Sequence, residues 1–301
     1  MNLSPFSIAG LPQLIFGQGS LAQLPELIRR YSSRVLIVTG AASFCRSDMW
    51  AELQSALVRA GIQWQQFSVS GEPSPGLVDE AVESYAGQGI GVVVGIGGGS
   101  VLDAAKAIAG LLPFGNSVLD HLEGVGKGIE YQGPALPLIA VPTTAGTGSE
   151  ATKNAVLSIH GPEGYKKSFR HDSLVAKVAL LDPSLLDSCT PQLVAAQGMD
   201  AFTQLLESYV STRANPFCDA LAMSGLAAFK DGFWPAWQGG AGFGTRFGCT
   251  PGGLLPHSPW RGMRHTGGGG HRGEPAGLED ALTHQRGIGK ICPGGPAVVW
   301  C

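Results

Sequence analysis

The chain has 301 residues, 44% of them hydrophobic, with 20 basic against 23 acidic side chains and a net charge of −3. That apolar share is ample for a sizeable core and excludes a globally disordered chain. The near-balanced charge gives no footprint for nucleic acid or a membrane surface. No apolar run approaches the ~18 residues of a spanning helix, and Met1 to Gly10 lacks the basic and apolar regions of a secretory leader. Six cysteines, at 45, 189, 218, 249, 292 and 301, contain no Cys-x-x-Cys pair. They read as incidental thiols of a cytoplasmic protein.

Arg34-Val-Leu-Ile-Val-Thr-Gly40 is a short apolar run ending in a turn residue, the pattern of a buried strand. Trp50 to Ala60 reads as a helix with Leu53, Ala56 and Leu57 on one face, and Val78 to Ala86 as another. Gly91-Val-Val-Val-Gly-Ile96 is a second buried strand, Ser100 to Leu112 a helix, and Pro137-Leu-Ile-Ala-Val141 a third strand. Strands alternating with helices indicate parallel βαβ units in a doubly wound sheet. Beyond Asp182-Pro183 the pattern turns helical. Thr190-Pro191 reads as a cap followed by Pro at the first helical position, opening a helix to Val210. Asn215-Pro216 repeats the device, for a helix reaching about Phe229.

The character of the chain changes near residue 231. Residues 231 to 301 hold 19 of the 45 glycines, four of the six tryptophans and four of the seven histidines. Neither the 3.6 nor the 2.0 period persists there, and only Leu278 to Gln285 could make a helical turn or two. Two readings stay open: a natural flexible tail, or a stretch in which a shift of reading frame has replaced the original continuation. The expected organisation is an α/β domain over 1–183, the start of an incomplete all-helical domain over 184–230, and a Gly/Pro-rich segment over 231–301.

Three motifs carry chemistry. Gly95-Ile-Gly-Gly-Gly-Ser100 joins a strand to a helix, where glycines let an anion approach the amide N–H groups and the helix dipole adds about half a positive charge. Ser100 is positioned to cap that helix, with Asp103 three residues on completing a capping-box-like pair. This fits a dinucleotide pyrophosphate; a glycine-rich turn with no ligand is the alternative. Pro142-Thr-Thr-Ala-Gly-Thr-Gly-Ser-Glu150 crowds hydroxyls and glycines at the sheet's carboxyl edge, where ligands bind in open α/β sheets, or is simply a capped helix start. Asp200 and Gln204 stand at i and i+4, so both could offer oxygen to one cation or form an ordinary polar pair.

Together and in order, these segments resemble the iron-containing (group III) alcohol dehydrogenases of the dehydroquinate synthase-like fold. The likeness covers roughly residues 6 to 230 and includes Ile15-Phe-Gly-Gln-Gly-Ser20, Gly97-Gly-Gly-Ser-Val-Leu-Asp-Ala-Ala-Lys106, Leu181-Asp-Pro183 and Gly198-Met-Asp-Ala-Phe-Thr-Gln-Leu-Leu-Glu207. It implies an NAD- or NADP-dependent oxidoreductase that moves hydride between the nicotinamide and an alcohol or aldehyde, with a divalent metal, iron or zinc, polarising the substrate oxygen. Carried over by motif, Gly97, Gly98, Gly99 and Ser100 hold the pyrophosphate with Asp103 close by. Thr143, Thr144 and Thr147 line the cofactor site, with Asn154 and Lys166 near it. Gly40 stands where NAD-preferring members often place an Asp for the ribose, so NADP should be tolerated. Asp200 is the first metal ligand. Gln204 replaces the His of the second, and its weaker oxygen lowers the expected metal retention. The family's two further His ligands are not recognisable, and His257, His265, His271 and His284 match neither context. Relatives commonly form dimers or larger assemblies. Two other readings remain: a catalytically inactive dinucleotide-binding remnant, and a glycerol dehydrogenase-like, maleylacetate reductase-like or dehydroquinate synthase-like enzyme of the same fold. Pro142 to Glu150 favours the alcohol dehydrogenases over the glycerol dehydrogenases and dehydroquinate synthases.

Overall fold

A computed structural model of the chain describes residues 5–239. The segment from 240 onward, with its four histidines and the short helix expected at Leu278 to Gln285, lies outside the described residues.

The chain builds β1 (Gln13–Phe16), α1 (Leu24–Arg29), β2 (Arg34–Gly40), α2 (Asp48–Arg59), β3 (Gln63–Val69), α3 (Pro75–Tyr85), β4 (Val92–Gly97) and α4 (Gly99–Leu111). It continues with β5 (Leu138–Pro142), β6 (Asn154–Ile159), β7 (Tyr165–Arg170) and β8 (Val178–Leu181). Two long helices, α5 (Pro191–Val210) and α6 (Pro216–Gly239), follow. Six strands form one parallel sheet in the order β1-β8-β5-β4-β2-β3, and β6 pairs with β7 in a separate antiparallel hairpin.

Both faces of the sheet are covered, which is why its central strands read as unbroken apolar runs. Successive residues of β2 serve opposite cores: Val35 and Ile37 face α1 and α2, whereas Leu36 and Val38 face α3 and α4. The same division runs through β4, with Val92 and Val94 on one side and Val93 on the other. The two long helices join the first of these cores through Val194, Phe233 and Ala236. Asp182, almost wholly buried, ties the sheet's outer edge together. Its carboxylate accepts from the amides of Gly19 (3.0 Å), Leu21 (2.9 Å) and Ser184 (3.1 Å).

The strands expected from apolar runs and the helices between them form within about three residues of the expected bounds, and Thr190 caps α5 by accepting from the Leu193 amide. Three expectations need correction. Ser100 does not cap α4. The cap position is Gly98, with no side-chain cap bond, because the helix begins one residue earlier than the apolar pattern indicates. Second, α6 does not stop at Phe229 but runs to Gly239 through Pro235. An internal proline costs a helix about 3 kcal/mol. Here Phe233, two residues before it, and Ala236, directly after it, are buried in the sheet's core, and that burial works against the cost. Third, β1, α1, β3, the β6–β7 hairpin and β8 have no counterpart among the expected elements. β3 is an edge strand reading Gln-Trp-Gln-Gln-Phe-Ser-Val, and β7 carries Lys166 and Lys167, so neither shows a clean apolar run.

Candidate dinucleotide and metal sites

The topology itself selects a place for a ligand. β2 and β4 are hydrogen-bonded neighbours, yet the helix after β2 packs on one face of the sheet and the helix after β4 on the other. The carboxyl ends of these two strands therefore open onto a crevice, the switch point at which doubly wound sheets take ligands. Gly40 ends β2 and Gly97 ends β4. A Cβ placed on Gly40 would lie 3.8 Å from Val101 Cγ2 in the first turn of α4, so the two strand ends share that turn.

Gly97, Gly98 and Gly99 are needed for space. None has a positive φ, so their backbone does not itself demand glycine. A Cβ on Gly97 would meet Val101 at 2.5 Å. One on Gly98 would meet Thr144 at 3.2 Å, and one on Gly99 would meet Thr147 at 2.7 Å. Thr144 and Thr147 thus fit directly against the glycine backbone. The amides of Val101 and Leu102 are used by the Gly98 carbonyl (3.0 and 3.1 Å), and the Gly97 carbonyl accepts from the Thr143 amide (3.0 Å). Among the described residues, no protein acceptor serves the amides of Gly98, Gly99 and Ser100. Three half-buried donors at the positive end of a 13-residue helix form a cradle for an anion. The residues present therefore fit a dinucleotide's diphosphate.

Behind this cradle lies a buried polar network. The Lys106 ammonium, fully buried, donates to the Asn154 carbonyl (2.7 Å), Ser149 Oγ (2.8 Å) and Thr152 Oγ1 (2.9 Å), and approaches Asp103 Oδ1 at 3.4 Å. Ser149 in turn donates to Asp103 at 2.6 Å. Burial pushes the Lys106 pKa down, opposed by the Asp103 charge. Glu150 beside it is 2% exposed, and its Oε2 has no hydrogen-bond partner among the described residues. Burial pushes its pKa up to about 7, against the pull of a backbone hydrogen bond and the Lys106 charge. Lys106, Ser149 and Glu150 were not among the expected site residues. The signal was present: a single lysine among Ala104, Ala105, Ala107 and Ile108 on an apolar helix.

α5 docks on the Pro142–Gly148 turn. Gln197 accepts from the Ala145 amide (3.1 Å), and Gln204, two turns on, donates to the Gly146 carbonyl (3.2 Å). Thr147, Asn154 and Gln204 share a cavity of about 210 Å³, lined also by Arg170, Phe217 and the segment Ser7–Leu11. Asn154 does not present its side-chain oxygen freely there, because Oδ1 accepts from Arg170 Nε (2.8 Å). Lys166 stands apart on β7, paired with Glu72 at 2.9 Å on the loop that leaves β3. That loop begins beside Gly40, whose register partner is Val69.

Asp200 is exposed on α5, one turn before Gln204. Among the described residues no group of three or more His, Cys, Asp or Glu side chains assembles to hold a metal. Two oxygen donors do not complete the coordination shell of iron or zinc. The described part of the chain does not by itself make a metal centre.

An open parallel α/β sheet with an anion cradle at its switch point, followed by paired helices, defines a doubly wound domain that leads into a helical one. The chain belongs to the iron-containing alcohol dehydrogenase family: residues 12–183 match the model of that family. It is 36% identical over 212 residues to long-chain-alcohol dehydrogenase 1 of Geobacillus thermodenitrificans, covering 70% of this chain and 52% of that enzyme. It is 33% identical over 287 residues to the probable alcohol dehydrogenase EutG of Escherichia coli, covering 95% of this chain and 69% of that protein. That second alignment extends past Gly239. Among solved structures it resembles the archaeal alcohol dehydrogenase ADH/D1 from a Red Sea brine pool (TM-score 0.74, 28% identity, 82% of this chain and 63% of that one). It also resembles the sulfoacetaldehyde reductase of Bifidobacterium kashiwanohense in complex with NAD+ (TM-score 0.71, 26% identity, 81% and 64%). The chain thus spans about half to two thirds of the length of these relatives. No helix among the described residues is long and apolar enough to cross a membrane.

Proposed function

We propose that the chain binds NAD or NADP with the diphosphate on the Gly98, Gly99 and Ser100 amides, and serves hydride transfer between that dinucleotide and an alcohol or aldehyde. The observation that carries this reading is the cradle: three consecutive N–H donors with no acceptor among the described residues, at a helix N-terminus, at the sheet's switch point. Thr144 and Thr147 pack against the glycine backbone, and Gly97 and Thr143 couple the ends of β4 and β5 beside it. The bound nicotinamide supplies the hydride chemistry; the protein's contribution is orientation and neutralisation of the diphosphate charge. Asp200 and Gln204 are the side of the metal site that α5 contributes, and they require further ligands. That requirement favours one second reading, a dinucleotide-binding protein without turnover.

Two measurements separate these readings. NADH fluorescence titration of the full chain tests binding, and alcohol oxidation with added iron or zinc tests turnover. Binding with turnover supports the oxidoreductase, binding alone supports the second reading, and no binding contradicts both. Gly40 adds a specificity prediction. With no carboxylate at the end of β2, nothing on that strand repels a 2′-phosphate, so the dissociation constants of NADH and NADPH should agree within about tenfold, a difference of ~1.4 kcal/mol. A preference for NADH greater than 100-fold would contradict it.

A further inference from the structure

We propose that Lys106 is a positioning residue that sets the width of the diphosphate cradle by bolting α4 to the turn that carries Thr147. This rests on the dinucleotide reading above.

The geometry is specific. The ammonium sits about two turns into α4, seven residues after Gly99, with no solvent contact. Its three shortest bonds all reach one short stretch of chain: Ser149 and Thr152 hydroxyls and the Asn154 carbonyl, at 2.8, 2.9 and 2.7 Å. Asp103, one turn nearer the cradle, closes the loop by accepting from both Ser149 (2.6 Å) and Lys106 (3.4 Å). Two turns of α4 are thereby fastened to residues 149–154. Thr147 lies two residues before that anchor, and its side chain is what Gly99 faces. Neither element could slide along the other without breaking several charge-assisted bonds inside a dry interior. The spacing between the Thr147 side chain and the Gly99 amide is therefore fixed by contacts on the far side of the helix start.

A lysine is an unusual choice for such a bolt. Burying an ammonium is expensive unless its hydrogens are all matched. Here three strong acceptors and a carboxylate surround it, so its value lies in directional cross-linking that an apolar residue of similar volume cannot supply. Such a residue does not touch the cofactor, yet it holds a donor set whose usefulness depends on sub-ångström placement.

The test uses the full chain and three variants, Lys106→Met, Asp103→Asn and Thr152→Val, with dissociation constants for NADH and ADP-ribose by calorimetry beside thermal melts. Folded Lys106→Met is expected to bind both ligands at least tenfold more weakly at a temperature well below its melting midpoint. Thr152→Val, which removes one acceptor and keeps the charge, should lose two- to fivefold with little change in melting. A purely structural role would lower the midpoint and leave the affinity of the folded protein intact, and that result in Lys106→Met overturns the proposal. If Lys106→Met does not fold, unchanged affinity in both Asp103→Asn and Thr152→Val overturns it. Failure of the unsubstituted chain to bind NADH would instead remove the dinucleotide reading itself.

Discussion

Gly99→Val should abolish dinucleotide binding while leaving the sheet intact. The residue is the first of α4, with a backbone conformation that any L-amino acid adopts, so the substitution introduces no φ strain. What it introduces is volume. The new Cβ falls 2.7 Å from Thr147 Cγ2 and 2.9 Å from its hydroxyl, so Thr147 must move, and the two further methyls add to that crowding beside the amides. Each hydrogen bond to a charged acceptor contributes about 1.5–3 kcal/mol. Losing two of the three amide contacts therefore removes on the order of 3 kcal/mol or more, at least 100-fold in affinity. NADH fluorescence titration measures this directly, and circular dichroism of the same sample reports whether β4 and α4 remain folded. Retention of NADH affinity within a few-fold, in a folded variant, would show that the diphosphate does not sit there.

The second large effect is a pH-dependent gain in stability in Glu150→Gln. In the fold the Glu150 carboxyl has its pKa raised to about 7, against an ordinary value of 4.5, chiefly because it is buried; Oε2 has no partner among the described residues. A carboxyl whose folded pKa is raised binds more protons folded than unfolded between those two values. The stability of the natural chain should therefore fall as pH rises from about 4.5 to about 7, and level off above. A shift of this size corresponds to on the order of 3 kcal/mol between pH 4 and pH 8. The glutamine variant lacks this slope. It should match the natural chain near pH 5 more closely than at pH 8, where it should be the more stable. Urea denaturation midpoints across that range, taken as the difference between the two proteins, cancel the other titrating groups. A difference independent of pH would mean that Glu150 finds a partner, or water, that keeps it ionised.

Much of this architecture is written locally. β2, β4 and β5 are buried on both faces, so each must be an uninterrupted apolar run, and each could be read as such. α5 announces itself because Thr190 caps it and Pro191 opens it. The strand-to-helix junction at Gly95–Ser100 was legible in the same way, because its glycines interrupt the apolar pattern between β4 and α4. The elements that escaped notice depend on tertiary context. β3 is an edge strand that sets Trp64 against one core and Phe67 and Val69 against the other, among exposed or half-buried polar residues, and α6 passes through a proline because Phe233 and Ala236 join the sheet core. The Lys106 network was hidden differently. Asp103 is within helical reach at i−3, but the three closest acceptors of Lys106 are 43 to 48 residues away in sequence, and one is a backbone carbonyl, so no spacing rule connects them. Asp200 and Gln204 show the converse. Their i, i+4 spacing placed them on one helix, but only folding shows Gln204 bound to the Gly146 carbonyl and Asp200 open to solvent.

The three amides at the start of α4, without an acceptor among the described residues, are where the diphosphate should bind. An amide-detected NMR titration of the isotopically labelled full chain with ADP-ribose, which carries the diphosphate without the nicotinamide, addresses them directly. The largest shifts should fall on Gly98, Gly99, Ser100 and the facing Thr144 and Thr147, saturating together with one dissociation constant. Saturable shifts confined to other parts of the sheet, or none at millimolar ligand, would contradict the account.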